Sequence, residues 1–524
     1  MKSHSFRLLL YTSLFGLLGF TLAAAPKKEK PAPALELSPF EVSAERIDFN
    51  RWIKVSSPHF VIYTDASQKE TLLLAKHLEM TRLAVQFYFH ADMGTEPPLM
   101  VLLPTKRSDW RKMETKEVEW QVASVTIGES RPIVVLEDDW QESPGLLWSM
   151  VGIHCCSLMN IEGPRWFEAG LIEFFDTLIF DGDSLTVGKE GVREAPVLTL
   201  GWLPWSRFFS VNSKSPEYYK DGTDHYKYFG QAAVFTHYLL TNSDPKKLKA
   251  LLQWSAFLEA QDHWTDEDFK RTFGVTPTKL QEDMVNLLKG GRYITGKIRF
   301  KPETLNFPME VVAARPSEMR ELFVLSQTML RKTPESKASL DSLLKNGLKN
   351  EGFRELLADS CLIDDRREDA LNQYRLLIKN GSTNPAVFLE AAKIHLRNAD
   401  AVSVLDAHLG DEATEAVSWT KRAVELDAPN FKADEALAWA YAKGPRVTAE
   451  DIAEITKLCH FLNGRGSTDN ALAALAVAYW RTGNLKKAHQ IDALLMGSLY
   501  TRHEPRKTAE ELEKRIASSP APAN

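Results

Sequence analysis

The sequence predicts an α+β N-terminal domain, a small mixed sheet plus helices, followed by an all-α solenoid of helical repeats. Three observations predict it. Short β-branched and aromatic runs punctuate residues 52–136, with one long helical pattern among them. Residues 316–500 carry helical periodicity throughout, with recurring Ala, Tyr and Leu positions. The chain has 524 residues, too many for one ordinary core. Hydrophobic residues at 44% and charged residues at 26% fit a soluble globular protein. A net charge of −6 gives no reason to expect nucleic acid or an anionic membrane surface as partner. Four cysteines are too few for a disulfide scaffold, and Cys155 and Cys156 are adjacent.

Residues 1–25 are expected to be a cleaved signal peptide, with a membrane-retained anchor helix as the alternative. Lys2 and Arg7 give a positive start, Leu8 to Leu22 is mostly apolar, and Ala23, Ala24 and Ala25 offer a small-residue cut site. Export to the periplasm or beyond a bacterial cell follows, and no further stretch of this kind remains after cleavage. Residues 26–50, rich in Lys and Pro, are expected to be a disordered linker.

The first domain is expected over residues 51–297. His59 to Thr64 is a strand, Leu72 to Phe89 a helix, and Pro98 to Leu103 a buried strand. Gln121 to Ile127 and Pro132 to Leu136 are two more strands. A helix then carries Leu147, Met150, Val151, Cys155, Leu158 and Met159 as a core stripe. A second stripe of the same helix, Ser149, Gly152, Cys156 and Asn160, is small and uncharged.

The next segment, Pro164-Arg-Trp166-Phe-Glu168-Ala169-Gly170-Leu-Ile-Glu173-Phe-Phe175, resembles the P-x-W-x-x-E-G-x-A-E-[YF]-[YF] helix of the peptidase MA-like gluzincins. Trp166, Gly170 and Glu173 keep that pattern. Tyr228 to Leu240 is similar to a further helix of the family and keeps its glutamine as Gln231. The resemblance covers roughly residues 52–295 and implies a zincin-like fold. It also implies a zinc site, which this chain lacks. The two histidines of H-E-x-x-H fall at Gly152 and Cys156, its glutamate at Ile153, and the third ligand at Ala169.

Those positions carry the chemistry. A catalytic zinc takes three protein ligands and a water. Histidines four apart lie on one helix face, and the adjacent glutamate takes a proton from the metal-bound water. Glycine, isoleucine and alanine can do none of this, and one thiol is not a site. His154, Cys155 and Cys156 do not converge on a helix, because consecutive residues point about 100° apart. No metal and no cofactor are expected. The small stripe leaves two possibilities: an empty cleft, or one closed by a neighbouring segment. His237 reads as a core histidine.

The second part, residues 316–500, resembles tetratricopeptide repeats of about 34 residues. Arg367 to Leu377, Glu415 to Leu426, Leu437 to Tyr441 and Leu475 to Ala488 carry the resemblance. Residues 501–524 are a charged helix and a tail. The resemblance implies a surface that takes a protein or peptide partner. The expectation is an exported, non-catalytic pseudo-peptidase that binds or scaffolds a protein through its repeats. The alternative is an active zinc peptidase with atypical ligands.

Overall fold

The computed structural model describes residues 38–518 apart from 91–92, 94–96, 107–122, 127, 137–139, 141–143, 160, 162, 190–195, 221, 242–243, 262, 291–294, 331–332, 400–404, 407–408, 411, 428–429, 464–467 and 499–500. The expected signal peptide, the first half of the expected linker and residues 519–524 lie outside the described residues.

Six short strands form the main sheet: β1 (Ile53–Ser56), β2 (Phe60–Thr64), β3 (Leu99–Leu103), β4 (Ala123–Thr126), β5 (Ile133–Leu136) and β9 (Glu310–Ala313). Their spatial order is β4-β5-β3-β2-β1-β9. β2, β3 and β5 run parallel, while β1, β4 and β9 pair antiparallel, so the sheet is mixed. The parallel step from β2 to β3 needs a crossover, supplied by the helix Gln68–Phe89. Ser67 and Glu70 cap its start reciprocally. β3 is buried along its whole length, as its continuous apolar run Leu-Met-Val-Leu-Leu requires.

The pleat of the strands divides the core. Val55, Ile62, Val101 and Val134 face a cluster that includes the helices Gln68–Phe89, Gly145–Leu158 and Arg165–Asp176. Tyr63, Met100, Leu102, Ile133 and Val135 face the other way, onto helices from 316 onward. Alternate residues of one strand thus seal the two halves of the chain together. A second sheet joins β6 (Ile179–Asp181), β7 (Ser184–Val187) and β8 (Gly296–Arg299).

Two sequence expectations need correction. Residues 38–50 are structured rather than disordered linker. A helix at Pro39–Ala44 packs on the helices Pro316–Leu330 and Pro334–Asn346, and Phe40, Ala44, Ile47 and Phe49 are buried. The apolar residues at this end of the segment outweigh its proline-rich start. The first domain also reaches past 297, because β9 supplies an edge of the main sheet by pairing with β1.

The helices after β9 pack as successive pairs: Pro316–Leu330 with Pro334–Asn346, Arg354–Ile363 with Arg367–Lys379, and Pro385–Ala399 with Glu412–Leu426. Phe431–Ala442 with Ala449–Asn463 and Asp469–Arg481 with Leu485–Gly497 follow. Alanines at 433, 436, 438, 440, 471, 473, 474, 476 and 478 are buried, which lets these helices approach closely. Gly483, with φ +78°, turns the chain between the last pair at no steric cost. The helix His503–Ser518 closes the array through buried Ala509 and Leu512. Among the described residues no helix is long and apolar enough to cross a membrane.

Candidate functional site

The stripe Ser149, Gly152 and Cys156 is a seam between two helices. Ser149 Oγ donates to the carbonyl of Ile172 at 2.7 Å. A Cβ added at Gly152 would lie 2.4 Å from Cδ2 of Phe175, closer than real Cβ contacts allow. The ring of Phe175 therefore fills the place where a side chain at 152 would begin. Small residues on Gly145–Leu158 let Arg165–Asp176 press against it.

Gly170 makes the corresponding approach on the other side of Arg165–Asp176. A Cβ there would meet Thr236 Oγ1 at 2.0 Å and the Ala232 carbonyl at 2.8 Å. The helix Thr223–Leu240 is thus held tightly against it. Gln231 is buried in that helix, and its Oε1 accepts the Leu203 N–H at 3.0 Å. Trp166 is fully buried among Phe167, Phe208, Phe209 and Phe235. Glu173 and His237 are also buried, and Phe174 sets its ring edge-on to His237. The retained positions Trp166, Gly170, Glu173 and Gln231 thus lie on two helices packed face to face.

The four degenerate positions separate. Gly152 and Ala169 are buried in the helix packing. Ile153 and Cys156 line a pocket of about 800 Å³. Phe175 covers Gly152, while Ile153 and Cys156 stand beside the pocket. Leu171, Phe209, Trp264, Glu129 and Lys432 complete much of its wall. Glu129 comes from the turn between β4 and β5, and Lys432 from the helix Phe431–Ala442, so both halves of the chain build the pocket.

Burial governs the titration of the nearby groups. His154 is held down to about 4, first by burial and then by the cations Lys432 and Arg82, so its imidazole is neutral at physiological pH. Burial pushes the Cys155 thiol up to about 12 and the Cys156 thiol well above its ordinary value. Neither is a thiolate at neutral pH, and only the thiolate is a strong nucleophile or ligand. All four cysteines are free and buried. Among the described residues no group of three or more His, Cys, Asp or Glu is arranged to hold a metal ion.

Sequence reasoning missed Lys432, Glu129, Phe209 and Trp264, and gave Phe175 no role. Phe175 was visible as the last aromatic of the family pattern, but its role follows only from the packing of the two helices. Lys432 and Glu129 carry no local signal, because they reach the pocket from distant elements. Comparison with family models, with curated proteins and with solved structures finds no match for this chain.

Proposed function

We propose that this chain is an exported, non-catalytic binding protein: a pseudo-peptidase frame fused to a tetratricopeptide-like array that grips a protein partner. The observation that carries the non-catalytic half is Phe175 packed on Gly152. Where a zinc peptidase would need an imidazole, this chain seats a helix. Export is read from the signal-like residues 1–25.

The gripping surface can be narrowed. The first helices of the early pairs are engaged with the chain's own sheet: Tyr63 donates to Glu318 at 3.0 Å, and Ser130 donates to Asp359 at 2.7 Å. The second helices carry exposed apolar side chains, Leu376, Phe461 and Leu494. We take these side chains as the places where a partner would touch.

Metal analysis of the full chain, purified without chelators, tests the reading. The expected result is no stoichiometric zinc and no change in melting temperature on adding a chelator. Tightly bound zinc, or cleavage of an unstructured protein substrate that a chelator stops, would restore the peptidase alternative. Glutamate at 376, 461 and 494 together should abolish partner capture while leaving the circular dichroism spectrum unchanged.

A further inference from the structure

We infer that the pocket of about 800 Å³ lined by Glu129, Ile153, Trp264 and Lys432 is a binding site for a neutral oligosaccharide. The site is separate from the protein partner proposed above, since none of Leu376, Phe461 and Leu494 lines it.

The volume lies in the range of pockets that enclose a small ligand, about 300–1,000 Å³. Two kinds of surface meet in its wall. Leu171, Phe209 and Trp264 are apolar, while Ser206, Ser210, Asn212 and Gln261 bring hydroxyl and amide groups. Trp264 is only half-buried, although its ring packs on Phe209 and Trp254 at 5.6 Å, so part of that ring is left for a ligand. A wholly apolar ligand would strip water from the polar groups without replacing its hydrogen bonds. A small ion would leave the aromatic rings unused. A pyranose ring answers both surfaces: its hydroxyls stand around the rim, and its C–H groups form faces that lie on aromatic rings.

The charges on the wall are of both signs. Glu129, Glu168 and Glu259 are anionic, Arg165 and Lys432 cationic, and Arg165 pairs with Glu168. A charged ligand group would be drawn to one sign, repelled by the other, and would lose hydration on entry. A hydroxyl uses both signs, because it donates to a carboxylate and accepts from an ammonium or guanidinium group. Residues already engaged within the chain keep capacity for this, since a carboxylate has about four acceptor sites and a guanidinium about five donors. A peptide matches the wall less well. Its backbone offers one donor and one acceptor per about 3.3–3.6 Å of chain, whereas each pyranose ring carries several hydroxyls. Glu129 and Lys432 reach the pocket from the two halves of the chain, so a bound sugar would touch both.

The test is isothermal titration calorimetry of the full chain with trisaccharides. Cellotriose, maltotriose and triacetylchitotriose are the neutral probes, the glucosamine trimer the cationic one and trigalacturonate the anionic one. At least one neutral probe should bind with a Kd of about 1 mM or tighter, and about tenfold or more tightly than both charged probes. Ser210→Trp, at an exposed wall position, should remove that binding, and Ser210→Ala should keep it. Lys432→Met, with an unchanged circular dichroism spectrum, should weaken it about tenfold by removing a charged donor. Absence of binding by all three neutral probes would overturn the inference, as would a charged probe bound equally well or better. Binding that survives both Ser210→Trp and Lys432→Met would place the sugar elsewhere and overturn it too. A Gly/Ser peptide with a central Leu-Leu that binds more tightly than every neutral sugar would make the occupant a peptide instead.

Discussion

Ser130 and Asp359, 229 positions apart, are joined through both backbone and side chain. Ser130 Oγ donates to Asp359 Oδ1 at 2.7 Å, and the Ser130 N–H lies 3.2 Å from each carboxylate oxygen. The Arg131 N–H at 2.9 Å and the Tyr374 hydroxyl at 2.7 Å complete the set. Arg131 pairs with Glu355 at 2.8 Å, and Asn384 donates to the Ser130 carbonyl at 2.7 Å. The turn between β4 and β5 is thereby fastened to the helix Arg354–Ile363, to Tyr374 of the helix that follows it, and to Asn384 just before the helix Pro385–Ala399. Burial pushes the Asp359 carboxyl up to about 7, while its four donors pull toward the charged form.

Asp359→Ala should destabilise the full chain by about 3 kcal/mol, because it strands buried donors from two halves at once. Ser130→Ala should cost less, about 1 kcal/mol, since the two backbone donors remain. Urea unfolding followed by circular dichroism measures both. Equal and negligible losses would mean that the joint does not tie the halves together.

A chain starting at Pro316 should be far less stable than the whole protein. It would expose to water the faces of Met319, Leu322 and Phe323 that now share a core with Tyr63, Met100 and Leu102. Limited proteolysis of such a fragment should cut within the first helix pair, which the intact chain protects. A fragment as resistant as the full protein would show that these helices need no sheet.

Gly152→Ala should cost about 1–3 kcal/mol, because its new methyl group meets the ring of Phe175. Phe175→Ala alone should cost about 3–5 kcal/mol by leaving a cavity. In the double variant the penalty of Gly152→Ala should vanish, since the obstructing ring is gone. Additive losses would place the ring elsewhere. The same contact means that histidines at 152 and 156 with glutamate at 169 cannot build a zinc site while Phe175 stays in place.

Asp492 sets a pH dependence. Its side chain is buried, both carboxylate oxygens lack hydrogen-bond partners among the described residues, and burial followed by the charge of Glu513 pushes it up to about 7. Between the ordinary aspartate value and about 7 the folded state binds more protons than the unfolded state. This group's contribution therefore falls as pH rises through that window. Asp492→Asn should be more stable than the parent at pH 8, and the gap should narrow as pH falls toward 4. A gap that is constant with pH, or that widens in acid, would refute the assignment.

The mature N-terminus of exported material should fall between Ala24 and Pro26. N-terminal sequencing measures this directly, and an intact Met1 on cytoplasmic protein would contradict it.

The sequence by itself determined the local elements with strong periodicity. The apolar run at Leu99–Leu103 made a buried strand, the pattern from Leu72 to Phe89 a helix, and the small residues of 471–478 a tight helix pairing. It also determined what chemistry cannot occur at Gly152, Ile153 and Ala169, because side-chain identity alone limits proton transfer and metal ligation. Only the tertiary structure decided what those small residues do. Gly152 is bare to the eye in the sequence, yet it receives the ring of Phe175 from a separate helix. Short β1 and β7 each sit between a near partner, β2 or β6, and a distant one, β9 or β8, and no local period announces the distant pairing. The pocket that joins Ile153 to Lys432, and the bond from Ser130 to Asp359, depend on how the C-terminal helices meet the sheet. That meeting is set by the summed burial of many faces, which no window of sequence contains.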